Sequence, residues 1–276
     1  MPATSPPPAP SADERCGRWL LGRTIATGAW AEVRAARAAG APGAAEDGEP
    51  VAIKRPHSHA ARDAAFTELF AAERALTATL PAHPALITAI EHGDGGPADD
   101  ARAYLVMPRI DGPDLRARLA QGAIARPVWL AVAADLAAAL AHLHAHGWVH
   151  GDVNPSNVLL GSRGAVLCDL GVARRVDAAG PVRGTPAYMA PEQVKGEPWT
   201  AAVDVFALGV VLWELSAGAR LFARPAPYLA MAAIVETPAP PLADPPLAAL
   251  VAAALSREPG ARPPAGDVAA LLRALL

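Results

Sequence analysis

The chain has 276 residues, 24 Lys+Arg against 27 Asp+Glu, a formal net charge of −3, and 52% hydrophobic against only 5% aromatic residues. The near-neutral balance supplies no basic field for nucleic acid or an anionic membrane surface, and the content of apolar residues excludes a wholly disordered or collagen-like chain. Cys16 and Cys168 are too few for a disulfide framework, so a reducing, cytoplasmic compartment is expected, with no nucleic-acid and no membrane partner.

Residues 1–16 are rich in Pro, Ala and Ser and read as a disordered tail without the charged and apolar stretches of a signal peptide. Short β-like runs follow at Trp19–Leu21, Ala31–Arg34, Val51–Lys54 and Tyr104–Met107, with a long hairpin loop over Gly40–Pro50. One helix interrupts them, from about Arg62 to Leu80, stopped by Pro81 and Pro84. After Asp111-Gly112 the pattern turns helical, with helices expected over Pro127–Ala145, Val203–Leu215 and Asp267–Leu276. The most apolar segment, Ala201–Leu215, is broken by Asp204 and Glu214 and is shorter than a membrane span, so a soluble α+β protein is expected.

Three segments carry chemistry. Val51-Ala52-Ile53-Lys54 is an apolar strand ending in a Lys. His150-Gly151-Asp152-Val153-Asn154-Pro155-Ser156-Asn157 sets an Asp and an Asn in one tight loop before an apolar run. Asp169-Leu170-Gly171 follows the apolar strand Ala165–Cys168. Phosphoryl transfer from a nucleotide needs this inventory: a Lys for the phosphates, oxygen ligands for Mg²⁺, and a carboxylate to orient the attacking hydroxyl.

In these motifs, joined by Ala190-Pro191-Glu192, the chain from about Gly17 to Leu276 resembles the eukaryotic-like protein kinases, in particular the bacterial Ser/Thr kinases. The resemblance implies a bilobal kinase-like fold: a small β-rich N-lobe with one helix, αC in the family's terms, over about 17–107, a hinge over 108–112, and a larger α-helical C-lobe over 113–276. It implies ATP and Mg²⁺ as cofactors and Ser/Thr hydroxyls of proteins as substrates. Lys54, paired with Glu73, then holds the nucleotide's phosphates, Asp152 is the catalytic carboxylate, and Asn157 with Asp169 binds Mg²⁺. Gly28 covers the phosphates; Val33, Ala52 and Leu159 sandwich the adenine; Met107 is the gatekeeper, and Pro108 and Ile110 offer backbone groups to the adenine edge. Asp204 braces the catalytic loop, Arg262 pairs with Glu192, and Gly184–Glu192 matches the family's substrate-docking loop.

Four positions depart from the family pattern. The phosphate loop reads Ala26-Thr27-Gly28-Ala29-Trp30-Ala31, keeping only the middle glycine, and an Ala at positive φ would be strained. Gly151 replaces the Arg that in the family receives an activation-loop phosphate, and Val172–Arg183 contains no Ser, Thr or Tyr; both point to activity without loop phosphorylation. Asn154 stands where Ser/Thr kinases carry a catalytic Lys, replacing a charge at the γ-phosphate by a neutral donor. Leu170 replaces the Phe after Asp169, an apolar swap that still packs. Two alternatives follow: a pseudokinase that binds nucleotide as a scaffold, and a small-molecule phosphotransferase sharing the His-Gly-Asp loop. A zinc site at His142 and His146 is set aside in favour of a helix end.

Overall fold

A computed structural model describes residues 14–39, 50–96, 102–178 and 183–276. Of the tail expected over 1–16, residues 1–13 lie outside the described residues, as do residues 40–49 of the hairpin loop expected over Gly40–Pro50. The chain forms two compact units, Met1–Thr79 with Thr88–Arg109, and Leu80–Ile87 with Ile110–Leu276.

The first unit is an antiparallel sheet with one helix. Its strands are β1 (Arg15–Cys16), β2 (Trp19–Thr27), β3 (Ala31–Ala38), β4 (Val51–Pro56), β5 (Glu91–Gly93) and β6 (Tyr104–Pro108), in the order β1-β2-β3-β4-β6-β5. Alternation along the strands sends Trp19, Leu21, Ala36, Val51, Ile53, Tyr104 and Val106 into one apolar cluster with Cys16. The tail therefore ends earlier than residue 16, a correction to the sequence reading. Arg15–Cys16 pairs with Leu20–Trp19, the Leu21 amide donates to the Glu14 carbonyl at 2.8 Å, and the Glu14 carboxylate bridges Arg34 and Arg55. Burying two arginines on one sheet demands a counter-ion, and Glu14 supplies it. Burial raises the Glu14 carboxyl pKa, but the two guanidinium groups outweigh it and hold it below its ordinary value.

Helix α1 (Ala64–Thr79) follows a 3-10 turn at Ala60–Arg62. The Asp63 carboxylate accepts from the Phe66 amide at 2.9 Å, which caps the helix start. Residues 80–87, assigned by sequence to the N-lobe, belong to the second unit instead. The Ile87 amide donates to the Leu167 carbonyl, and the Leu167 amide to Ala85, so this segment is an extra rung on a C-lobe strand.

The second unit is helical: α2 (Leu115–Ala120), α3 (Arg126–Ala145), α4 (Pro191–Lys195), α5 (Ala202–Ala217), α6 (Pro227–Glu236), α7 (Pro245–Ala254) and α8 (Ala265–Ala274). Two short ribbons accompany them, β7 (Trp148–Val149) with β10 (Arg174–Arg175), and β8 (Val158–Gly161) with β9 (Gly164–Leu167). Helix α5 buries every residue from Val203 to Leu215, the mark of a helix through the centre of a core. A methyl group on Gly209 would stand 2.9 Å from Ala254 Cβ, so a glycine lets α7 approach. Helix α3 is long and apolar enough to cross a membrane, yet 56% of its apolar window is buried within the fold. Its fully buried Ala133, Ala137 and Ala139 stand beside Leu130, Leu140 and Leu143, so the chain's abundant alanine becomes close helix packing rather than ring packing.

Candidate active site

The first unit supplies a cation held by a helix. In β4, Ala52 lies opposite Ala35 of β3 and Met107 of β6, and Lys54 lies opposite Val33. The Lys54 ammonium donates to both Glu73 carboxylate oxygens, at 2.7 and 2.8 Å, and both side chains are largely buried. The loop between β2 and β3 is closed by the Gly28 amide donating to the Ala31 carbonyl at 2.8 Å. The strain expected at its alanines is absent. Ala26 and Ala31 lie in strand register opposite Val33 and Pro56, and among the described residues only Asp169 and Asp177 are non-glycines at positive φ. Pro108 ends β6 on the surface.

The second unit supplies two loops strung between the same two ribbons. Residues 150–157 run from β7 to β8, and residues 168–173 run from β9 to β10, so pairing of the ribbons sets the loops side by side. The Cys168 amide donates to the Asn157 carbonyl at 2.8 Å, stitching one loop to the other. Leu159 lies in β8 opposite Val166, and Ile110 approaches the end of the same strand at Gly161.

Asp152 is the most constrained group. Its Oδ1 accepts from the Thr185 amide at 2.7 Å and its Oδ2 from the Asn157 amide nitrogen at 3.1 Å. Burial pushes the Asp152 carboxyl pKa up; the Thr185 hydrogen bond and His150 oppose this, and the nearby Asp169 charge adds to it. Asn157 also donates to the Asp152 carbonyl at 2.9 Å. Its nitrogen is thereby spent on Asp152, which leaves its side-chain oxygen as the atom for a cation. Asp169 is exposed on its loop with φ of 65°, a left-handed conformation rarely adopted by a residue with a side chain.

Asn154 is built into the same loop. It is 3% exposed, donates to the Asp152 carbonyl and to the Thr185 hydroxyl, both at 3.1 Å, and accepts from the Ser156 amide at 2.9 Å. These bonds tie Asn154 to Asp152 and Thr185 within the protein.

Beneath the loop lies Asp204, 1% exposed at the start of α5. It accepts from the His150 amide, the Gly151 amide and His144 Nε2, each at 2.8 Å. His150 is fully buried; its Nε2–H donates to the Cys168 carbonyl and its Nδ1 accepts from the Asp152 amide. Further out, Arg262 makes a bidentate buried pair with Glu192 at 2.5 and 2.9 Å. Burial and the adjacent Glu214 carboxylate push the Tyr188 hydroxyl pKa above its ordinary value, and that hydroxyl donates to Glu214 at 2.6 Å.

One residue escaped sequence reasoning. Gly151 has φ of +78°, and a methyl group there would stand 2.4 Å from the ring of Trp199. Trp199 is 1% exposed, and the Arg174 guanidinium stacks 3.3 Å from its ring centroid. The place of the family's phosphate-receiving arginine is filled by an indole. Forty-eight residues of sequence separate Trp199 from Gly151, and no local pattern announces the contact.

A family model described as "Protein kinase domain" matches residues 21–270. The chain belongs to the protein kinase family. The match fits the two half-sites above, each assembled within its own unit of the kinase domain. Among curated proteins, the chain is 36% identical over 266 residues to serine/threonine-protein kinase PkaA of Streptomyces coelicolor, covering 92% of this chain and 48% of that protein. It is 38% identical over 244 residues to PkaB of the same organism, covering 82% and 57% respectively. It is 36% identical over 236 residues to PknA of Mycobacterium tuberculosis, covering 82% and 53%. The chain spans about half the length of these curated relatives.

Proposed function

We propose that this kinase domain transfers the ATP γ-phosphate to Ser/Thr hydroxyls of proteins in the cytoplasm, without requiring a phosphate on its activation loop. The observation that carries the reading is the Asp152 carboxylate held by Thr185 and Asn157 in the catalytic loop. The relatives' printed names, all serine/threonine-protein kinases, support the choice of hydroxyl.

Lys54, aimed by Glu73, would hold the α- and β-phosphates. Asn157 through its side-chain oxygen and Asp169 through its carboxylate would hold Mg²⁺, and two hard oxygen donors suit that ion. Held by these two side chains, Mg²⁺ would supply positive charge against the phosphates. Asp152 orients the acceptor hydroxyl and takes its proton as the oxygen bonds to phosphorus and the bond to the departing ADP breaks. The Thr185 amide fixes one oxygen of Asp152, which leaves the carboxylate a single orientation toward the acceptor. Independence from loop phosphorylation is supported by Trp199 over Gly151 and by the absence of Ser, Thr and Tyr from residues 172–183. The pseudokinase reading is not favoured, because the base and both metal-binding positions are filled.

The test is transfer from labelled ATP with Mg²⁺ to a generic basic protein, wild type beside Asp152→Asn. A loss of about 10²- to 10⁴-fold is expected; equal labelling by both proteins overturns the assignment. In wild type the rate should fall on acidification through a pKa above the ordinary carboxylate range, since the working form is ionised Asp152 and burial raises its pKa. The linkage has the matching sign. With the folded pKa above the unfolded one, the folded chain binds the extra proton, so this group's contribution to stability is lost as pH rises through the raised value.

A further inference from the structure

The first unit contains a set of contacts that the proposed chemistry does not use. Three successive carbonyls at the tip of the phosphate loop are each bonded to the segment just after Lys54. His57 Nε2–H donates to the Gly28 carbonyl at 3.0 Å, His59 Nε2–H to Ala29 at 3.1 Å, and the His57 amide to Trp30 at 2.9 Å. Since carbonyls only accept, both rings present N–H at Nε2. The two imidazoles stack on each other with centroids 5.6 Å apart, so each braces the other's orientation.

The same tip is joined to helix α1. The Trp30 ring stacks on Phe66 at 5.5 Å with planes 15° apart, and Phe66 lies parallel to Phe70 at 6.3 Å and 7°. Phe66, Phe70 and Glu73 fall at i, i+4 and i+7, one face of the helix. Burial deepens along the row, from Trp30 at 49% exposed to Phe70 at 3% and Glu73 at 4%. The row thus begins at the surface over the phosphate loop and ends on the carboxylate that holds Lys54.

We propose that Trp30, His57 and His59 are positioning residues that join the phosphate loop to the Lys54–Glu73 pair as one body. The histidines tie the loop to the strand that carries Lys54, and the ring row ties it to the helix that carries Glu73. A ligand pressing on the loop therefore also steadies the ion pair, and a loosened loop loosens the helix. This coupling compensates for a loop with one glycine in place of three: an alanine-stiffened cover cannot fold down separately, so it is held ready in place. The functional meaning of the two partners rests on the kinase reading above; the mechanical link does not.

The experiment has two arms on the full chain. Hydrogen exchange of the nucleotide-free protein compares wild type with Trp30→Ala and Trp30→Phe. Trp30 is half exposed, so its loss leaves the core intact. The α1 amides from Phe70 to Thr77 should exchange about 3- to 10-fold faster in Trp30→Ala, the scale of one aromatic pair, and return to within about 2-fold in Trp30→Phe. Unchanged α1 exchange overturns the link. The second arm is a double-mutant cycle on Mg–ATP affinity by calorimetry, with Trp30→Ala, Glu73→Gln and the pair. Trp30→Ala should weaken binding about 3- to 10-fold alone and less than about 2-fold in the Glu73→Gln background; additive losses overturn the coupling. Absence of any Mg–ATP binding by wild type would count against the kinase reading, while the exchange arm still decides the mechanical link.

Discussion

The two half-sites are held by opposite strategies. The first unit grips Lys54 with both carboxylate oxygens of Glu73, a residue of helix α1. The second fixes Asp152 through a web in which Thr185, Asn157, Asn154, His150 and Asp204 each hold another member. A charge pair of this kind joins one strand to one helix through two charge-assisted hydrogen bonds. A web cannot be opened at one point, because each donor removed strands a buried acceptor. The difference teaches how unlike the supports of the two half-sites are: a charge pair in one, a hydrogen-bond web in the other.

The comparison breaks most visibly at Asp204. Asp204→Ala strips the His150 and Gly151 amides and His144 of their shared acceptor in a fully buried place, so a loss of about 3–5 kcal/mol is expected in urea unfolding followed by tryptophan fluorescence. A loss under 1 kcal/mol would show that the web is not what holds the loop. Gly151→Arg comes next. It forces a side chain into the Trp199 ring at a left-handed backbone position, and about 1–3 kcal/mol should be lost by the same measurement. Full retention of stability would mean that Trp199 moves aside freely. A smaller effect on stability than at Asp204 is expected at Glu73→Gln. It keeps the volume and a hydrogen-bond acceptor for Lys54 but removes the countercharge of a largely buried ammonium, so about 1–3 kcal/mol should be lost in urea unfolding, less than at Asp204, while phosphate transfer falls at least 10-fold because Lys54 is no longer aimed. Equal losses of stability at Glu73 and Asp204 would erase the contrast.

Much of this arrangement was legible in the residues, for a physical reason. Lys54, Asp152, Asn157 and Asp169 act through their own functional groups at fixed places on short elements, so type and spacing carry the information. Strands β2, β3, β4 and β6 announced themselves through apolar runs between turn residues. Helix α1 announced itself through its proline stop, its start shifting by two residues where Asp63 caps it. What stayed hidden depends on pairs far apart in the chain. Arg15–Cys16 joins the sheet because Glu14 meets Arg34 and Arg55, which composition disguised as part of a Pro/Ala tail. Residues 80–87 follow β9, eighty residues onward, rather than their neighbours. Asn154 looked like a depleted catalytic position, and its hydrogen bonds to Asp152 and Thr185 were not legible.

The packing of Trp199 against Gly151 has a consequence for which substitutions the domain accepts. An arginine at position 151 has to displace the indole, which stands 2.4 Å from the site of its first side-chain carbon, and shrinking Trp199 alone would remove the ring on which Arg174 stacks. Either substitution alone is destabilising. Positions 151 and 199 are therefore read as a pair: a larger side chain fits at one only if the ring at the other is reduced in the same molecule.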